Sequence, residues 1–274
     1  MLFKKKICPN CRSEIDEAES TCPVCNRPFT TREYNRLPNA MTWIPWWKEL
    51  TIFLIGSFGL SILALLLQII YIFSKGDITG ADSLWINFIA YFGTLCAMAG
   101  LLWMHHRGLF KSFKGWKPYV FGLAAVGAIY TFNIIYNFSV SLFWDMGNNA
   151  NEQAVDSFIL NMPLVSFFVV VLFGPICEEL TYRVGLFSLL SRVHIVLGYI
   201  ATGIIFALIH FDWTCFGNTD VLINELLNLP LYMFAGLAFC FVYHKWGLAS
   251  SITAHVTNNL LSFVMILLLG WING

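Results

Sequence analysis

Seven long apolar stretches dominate the chain, near residues 50–74, 84–104, 119–142, 163–190, 195–211, 226–243 and 247–270. Charged residues, Asn, Gly and Pro gather in the short runs between them. Most of the stretches approach the ~20 residues a helix needs to cross ~30 Å of hydrocarbon. They are too long and too uniformly apolar for barrel strands, in which lipid-facing and lumen-facing residues alternate. The pattern predicts an all-α fold, a polytopic transmembrane helix bundle of about seven spans and at most eight. The fourth stretch is interrupted at Gly174-Pro175. Proline cannot continue the hydrogen-bond ladder, so a kink is expected there, and broken membrane helices line protein-buried or watery cavities. The connection over 143–162 is polar and rich in Asn, and predicts a surface helix or a lid.

A polar head precedes the apolar stretches. The reading divides the chain into a head over 1–36, an interfacial linker over 37–48 and a membrane domain over 49–274, with its polar motifs within 163–270. The linker holds Pro38 and Pro45, which interrupt regular structure, and Trp43, Trp46 and Trp47, which suit the headgroup region. The start, MLFKKKICPNC, has no apolar segment of the kind a cleavable signal carries, so the first span is expected to direct insertion itself.

Composition strengthens the membrane assignment. Hydrophobic residues make up 58% of the 274 positions and charged residues 12%, about half the charged share of a soluble domain. The net charge is zero, yet the charges are sorted. Eight of the 16 basic residues precede Leu50 and four more (Arg107, Lys111, Lys114, Lys117) share one connection, whereas the connections around Asp77–Asp82, Asp145–Asp156 and Asp212–Glu225 are acidic. Positive charge marks the cytoplasmic side. The expectation is a multi-pass protein of the bacterial cell membrane with a cytoplasmic amino terminus. Basic residues scattered over membrane loops give no support for nucleic-acid binding.

In the head, Cys8-Pro-Asn-Cys11 and Cys22-Pro-Val-Cys25 form a paired CxxC array. Each CxxC turn offers two thiolates, and two such turns complete the tetrahedral shell that zinc prefers. Some 30 residues cannot build a sufficient apolar core, so metal would supply the folding energy. Disulfides and idle thiols are the alternatives, and a reducing cytoplasm disfavours the first. The pattern resembles the short zinc ribbons carried in front of many bacterial membrane proteins, which implies a structural or protein-binding role and a cytoplasmic partner. Cys96, Cys177, Cys215 and Cys240 lie in or near apolar stretches and read as small core residues.

Ionisable groups inside spans are costly and mark functional sites by default. They concentrate in the last hundred residues: Glu178, Glu179 and Arg183 in the fourth stretch, His210 in the fifth, and His255 with Asn259 in the seventh. Glu179 and Arg183 stand four apart in the favourable acid-first order, so they can pair. Glu178 is rotated about 100° from that pair and needs a partner from another helix or a watery cavity, the setting of a general base. Phe206 and His210 are four apart, and Phe206 can shield the imidazole. His255 and Asn259 also project together, one turn after Ser251, and offer two donors to a developing oxyanion. A structural ion-pair cluster or proton relay, a core histidine and interhelical hydrogen bonding remain the bland alternatives for the three motifs.

The ordered set EExxxR, FxxxH and HxxxN on three separate stretches resembles the CPBP family, which holds CAAX prenyl protease 2 and the lysostaphin-resistance-protein-A-like (Abi) proteins. The resemblance spans roughly 84–270 and leaves out the head. It implies an all-helical intramembrane endopeptidase in which Glu178, helped by His210, activates water. His255 and Asn259 would hold the oxyanion, and Glu179 with Arg183 would organise the site. A catalytic Zn²⁺ held by Glu178, His210 and His255 is conceivable, but no HExxH is present and a Glu/His pair can activate water without metal, so a metal-free site is expected. The substrate would be a membrane protein or a lipidated peptide held at the lipid bilayer. The competing readings are a non-catalytic member of the same fold, acting in bacteriocin immunity or as a signalling scaffold, and a proton-coupled transporter.

Overall fold

The computed structural model describes residues 5–11, 13–16, 19–30 and 44–273, apart from the side chains of Arg107 and Asn273. Most of the linker and the head's first residues therefore lie outside the described residues. Eight helices carry the membrane domain. They are α1 (Trp46–Lys75), α2 (Gly80–His105), α3 (Lys117–Ser141), α4 (Ala150–Asn161), α5 (Pro163–Ser191), α6 (Ile195–Leu208), α7 (Thr219–Trp246) and α8 (Leu248–Asn273). Six of these are long and apolar enough to cross a membrane; α6 is a shorter apolar helix of 14 residues, and α4 lies in the polar connection. All seven apolar stretches are thus helical, but only six have spanning length.

Short turns with local caps fix the hairpins. Between α1 and α2, Thr79 and Asp82 form a capping box, and Lys75 reaches Asp82 at 2.8 Å. α3 packs against α7 and α8, and α6 against α7. α5 is the central element: half of its apolar window is buried, against 11–33% in the other five. The first half of α1 lies close along the second half of α5. A Cβ on Gly185 would stand 2.9 Å from the Phe53 backbone nitrogen and 3.1 Å from the Glu49 carbonyl oxygen, so only glycine admits that approach. Glu49 is fully buried there and binds Arg192 through both carboxylate oxygens, at 2.6 and 3.1 Å. Large apolar side chains such as Phe73, Ile134, Phe138 and Phe143 face outward, as a lipid solvent requires.

Four expectations need correction. α7 begins at Thr219, not near 226, because Asn218 caps it and its polar first turns find partners across the bundle. α1 begins at Trp46, within the stretch read as linker, with Pro45 before its first turn. The fourth stretch is one helix rather than a broken one. It passes Gly174-Pro175 between two wide, π-helical segments, Phe167–Phe173 and Glu179–Phe187. Finally, Cys96 is exposed, whereas Cys177, Cys215 and Cys240 are buried as expected.

The head is a small unit of its own. β1 (Lys5–Ile7) pairs antiparallel with β2 (Glu14–Asp16), and Cys8, Ile15, Cys22 and Phe29 form its core. The two CxxC turns are held by Cys8 N–H donating to Ser13 O (3.0 Å) and Cys22 N–H donating to Arg27 O (2.9 Å). Asn26 closes the second turn in the left-handed region, at φ 54°, where Asn is among the few tolerated side chains. Lys111, in the α2–α3 connection, pairs with Glu14 of the head.

Candidate active site

The polar residues of α5 and α8 meet inside the bundle. Glu179 and Arg183 are both fully buried, and Arg183 Nη1 lies 3.2 Å from Glu179 Oε1, the pairing their spacing predicts. The guanidinium is enclosed further by Phe206 (4.6 Å to the ring centroid) and Phe239 (5.1 Å), and its Nη2 donates to Gly236 O of α7 at 3.3 Å. His255 Nδ1 donates to the same Glu179 oxygen at 2.8 Å, while its ring stacks on Phe239 with centroids 4.6 Å apart. One carboxylate therefore orients both a guanidinium and an imidazole.

Glu178 points the other way. Its partner comes from another helix: Oε2 lies 3.8 Å from His255 Nε2, too far for a direct hydrogen bond, and makes none in the structure. Glu178 is partly accessible, at 21%, in contrast with the sealed Glu179.

His210 sits just beyond α6. A 14-residue helix rises only about 21 Å, so α6 stops short of the hydrocarbon thickness. This brings His210 near the other groups, with the Phe206 ring shared between it and His255. Its Nδ1 donates to the Phe206 carbonyl at 2.7 Å, which leaves Nε2 with its lone pair as the free position. The Phe206 ring packs 5.0 Å from His210 and 5.9 Å from His255, and His210 lies within electrostatic reach of Glu178.

Asn259 is engaged differently from the expectation. Its Nδ2 donates to Val170 O at 2.9 Å. In the wide turn preceding the proline, Gly174 N–H bonds to Val169 O, five residues back. The next amide in that register belongs to Pro175, which has no N–H to give Val170. Asn259 thus supplies the donor that proline lacks, and one amide hydrogen remains for other partners.

Four neighbours were not singled out from the sequence. Tyr232 stacks on His210, with centroids 4.3 Å apart and planes 16° from parallel. Its hydroxyl reaches Asn149 Oδ1 at 3.3 Å, and the same oxygen caps α4. Glu225, buried in α7, accepts from Ala150 N (2.9 Å) and Asp212 N (3.1 Å). Asn224, Asn228 and Tyr232, spaced by four, form a polar stripe in an otherwise apolar helix, and that stripe is the signal that marks them.

The metal-binding potential lies in the head. The Sγ atoms of Cys8, Cys11, Cys22 and Cys25 all lie within 4.8 Å of one another, with Cys8–Cys25 at 3.8 Å and Cys11–Cys22 at 3.5 Å. A tetrahedron with Zn–S near 2.3 Å has sulfur–sulfur edges of about 3.8 Å, so the four thiols fit a zinc-sized ion. Among the described residues no other group of three or more potential ligands draws together in this way. Glu178, His210 and His255 are not among the groups whose ligand atoms draw together in this way.

Comparison with curated proteins and with solved structures gave no match. A family model matches residues 160–261, the segment from the end of α4 through the first half of α8 that holds Glu178, Glu179, Arg183, His210, His255 and Asn259. That segment is similar to the Rce1-like family, described as type II CAAX prenyl endopeptidases.

Proposed function

We propose that the protein is an intramembrane endopeptidase that cleaves a peptide bond of a membrane-associated or lipidated protein by water activated at Glu178 and His210. The observation that carries this reading is the carboxylate oxygen of Glu178, enclosed in the bundle yet without a hydrogen bond, facing His255 across 3.8 Å. A charged group held inside a membrane protein without a bonded partner is expensive, and activating water is the use that fits it.

The division of labour follows from how each ring is held. His210 donates at Nδ1 to a neutral carbonyl, so its Nε2 lone pair can take a proton from water alongside Glu178. His255 donates at Nδ1 to Glu179, so its Nε2 can donate to an oxyanion only with both ring nitrogens protonated. With ionised Glu178 and Glu179, that imidazolium and Arg183 leave the cluster electrically neutral. The remaining amide hydrogen of Asn259 is the second candidate donor to the oxyanion. The head is proposed to hold one structural Zn²⁺; its closed four-thiol shell leaves no position for chemistry.

The test compares peptide termini in membranes from cells carrying the unmodified protein with those from cells carrying Glu178→Gln at matched expression. Termini present only with the unmodified protein support proteolysis and reveal the substrate class. Identical termini with both forms folded would refute it and turn attention to a scaffold role for the head.

A further inference from the structure

The groups behind His210 form a second polar network that the proposed chemistry does not use. It joins the start of α4 to α7. Gly147 N–H donates to Asn224 Oδ1 (3.0 Å), Asn224 Nδ2 donates to Asn148 O (3.2 Å), and Asn228 Nδ2 donates to Gly147 O (3.2 Å). Glu225 then ties Ala150 to Asp212, two residues beyond His210. The far half of α4 is anchored separately, with Ile159 packed against Val171 of α5 and Phe263 of α8. The start of α4 thus approaches His210 twice: through the backbone after it, by way of Glu225, and through its ring, by way of Asn149 and Tyr232.

An imidazole anchored by one hydrogen bond can still rotate about that bond. His210 has such a bond at Nδ1. The plane of Tyr232 lies nearly parallel to the imidazole, and the tilted Phe206 ring packs 5.0 Å from it, so two aromatic groups contact the ring. The tyrosine is itself oriented by Asn149, and Asn151 Nδ2 adds a donor to its hydroxyl at 3.4 Å. The chain of contacts runs from the α4 cap to the aromatic face to the imidazole.

We propose that Tyr232 is the positioning residue that aims His210, and that Asn149 makes this aim depend on the seating of α4 over the site. The inference rests on the reading of His210 as the group that assists Glu178. Rings misplaced by about an ångström cost catalysis on the order of a hundredfold, which sets the scale of the expected effect.

The experiment uses the full-length protein in detergent micelles, with ring-labelled histidine, and follows the His210 resonance by nuclear magnetic resonance, assigned by its loss in His210→Ala. In the unmodified protein the resonance is displaced by the ring current of Tyr232. Tyr232→Phe keeps the ring but loses the hydroxyl that Asn149 and Asn151 hold, and moves the resonance part of the way, whereas Tyr232→Leu abolishes the displacement and lowers kcat on the order of tenfold to a hundredfold with KM little changed. Asn149→Ser, which retains a cap on α4, moves the resonance part of the way. An unmoved resonance in Tyr232→Leu overturns the positioning role, and an unmoved resonance in Asn149→Ser overturns the link to α4; the serine variant decides if the leucine variant does not fold. A moved resonance with no cleavage by the unmodified protein overturns the protease reading instead, which keeps the two failures apart.

Discussion

The buried pair Glu179–Arg183 gives the sharpest energetic prediction. At 3.2 Å and an effective dielectric near 20, the attraction amounts to about 5 kcal/mol. Desolvation of two fully buried charges offsets most of it, so the pair as a whole adds little, but loss of one member strands the other. Glu179→Gln leaves Arg183 charged and enclosed by Phe206 and Phe239; Arg183→Met leaves Glu179 with His255 alone. Each single variant is expected to lose about 3–5 kcal/mol, and the double variant no more than either. The implied coupling is at least about 3 kcal/mol. The assay is unfolding in mixed micelles of increasing sodium dodecyl sulfate, followed by tryptophan fluorescence. Single losses that simply add in the double variant would refute the reasoning, because they would mean each charge is stabilised independently of the other.

The remaining predictions address other parts of the molecule. Glu178→Gln lowers cleavage by about 10²–10⁴-fold while the unfolding midpoint stays in place, since the free carboxylate oxygen forfeits no hydrogen bond; a large midpoint shift would show a structural role. One zinc per chain is expected by metal analysis, released by Cys22→Ser or on acidification as protons compete for the thiolates; retention in Cys22→Ser would exclude the four-thiol site. Gly185→Ala forces α1 from α5 against unyielding backbone atoms and costs about 1–3 kcal/mol, read from the same unfolding midpoints. Burial raises the Glu152 carboxyl above its usual range, so the folded state binds its proton more tightly than the unfolded state does. Its contribution to stability is therefore greatest at low pH and fades as pH rises through the raised value. Protection factors along α4, which remove the intrinsic pH dependence of exchange, should rise on mild acidification, and Glu152→Gln should remove that rise.

Periodicity and composition made most of the scaffold legible. Apolar runs report a bilayer directly, and CxxC pairs report a metal shell, because both are properties of contiguous residues. The Glu179–Arg183 and Phe206–His210 contacts were legible for the same reason, being four apart on one helix. Contacts between distant segments were not. Hydropathy averages hid the first turns of α7, since Asn224, Glu225 and Asn228 look too polar for a span until Gly147–Ala150 supplies their partners from more than 70 residues away. Tyr232 reads as an ordinary interfacial aromatic until His210 is placed against it. Asn259 looked free to serve chemistry alone because the deficit at Val170 arises from a wide turn that residue types do not announce.

That bond also bears on how the protein is made. A chain enters the bilayer from its amino terminus, so α5 arrives with Glu178, Glu179, Arg183 and an unpaired Val170 carbonyl before their partners exist. Gly236 comes with α7, and His255 and Asn259 come only with α8, both later in the chain than α5. Hydrocarbon tolerates such groups poorly. The central helix must therefore wait, beside the translocation machinery or in a watery setting, until the carboxyl-terminal hairpin is complete. Chains interrupted before α8 would present quality control with a helix that no lipid can accept.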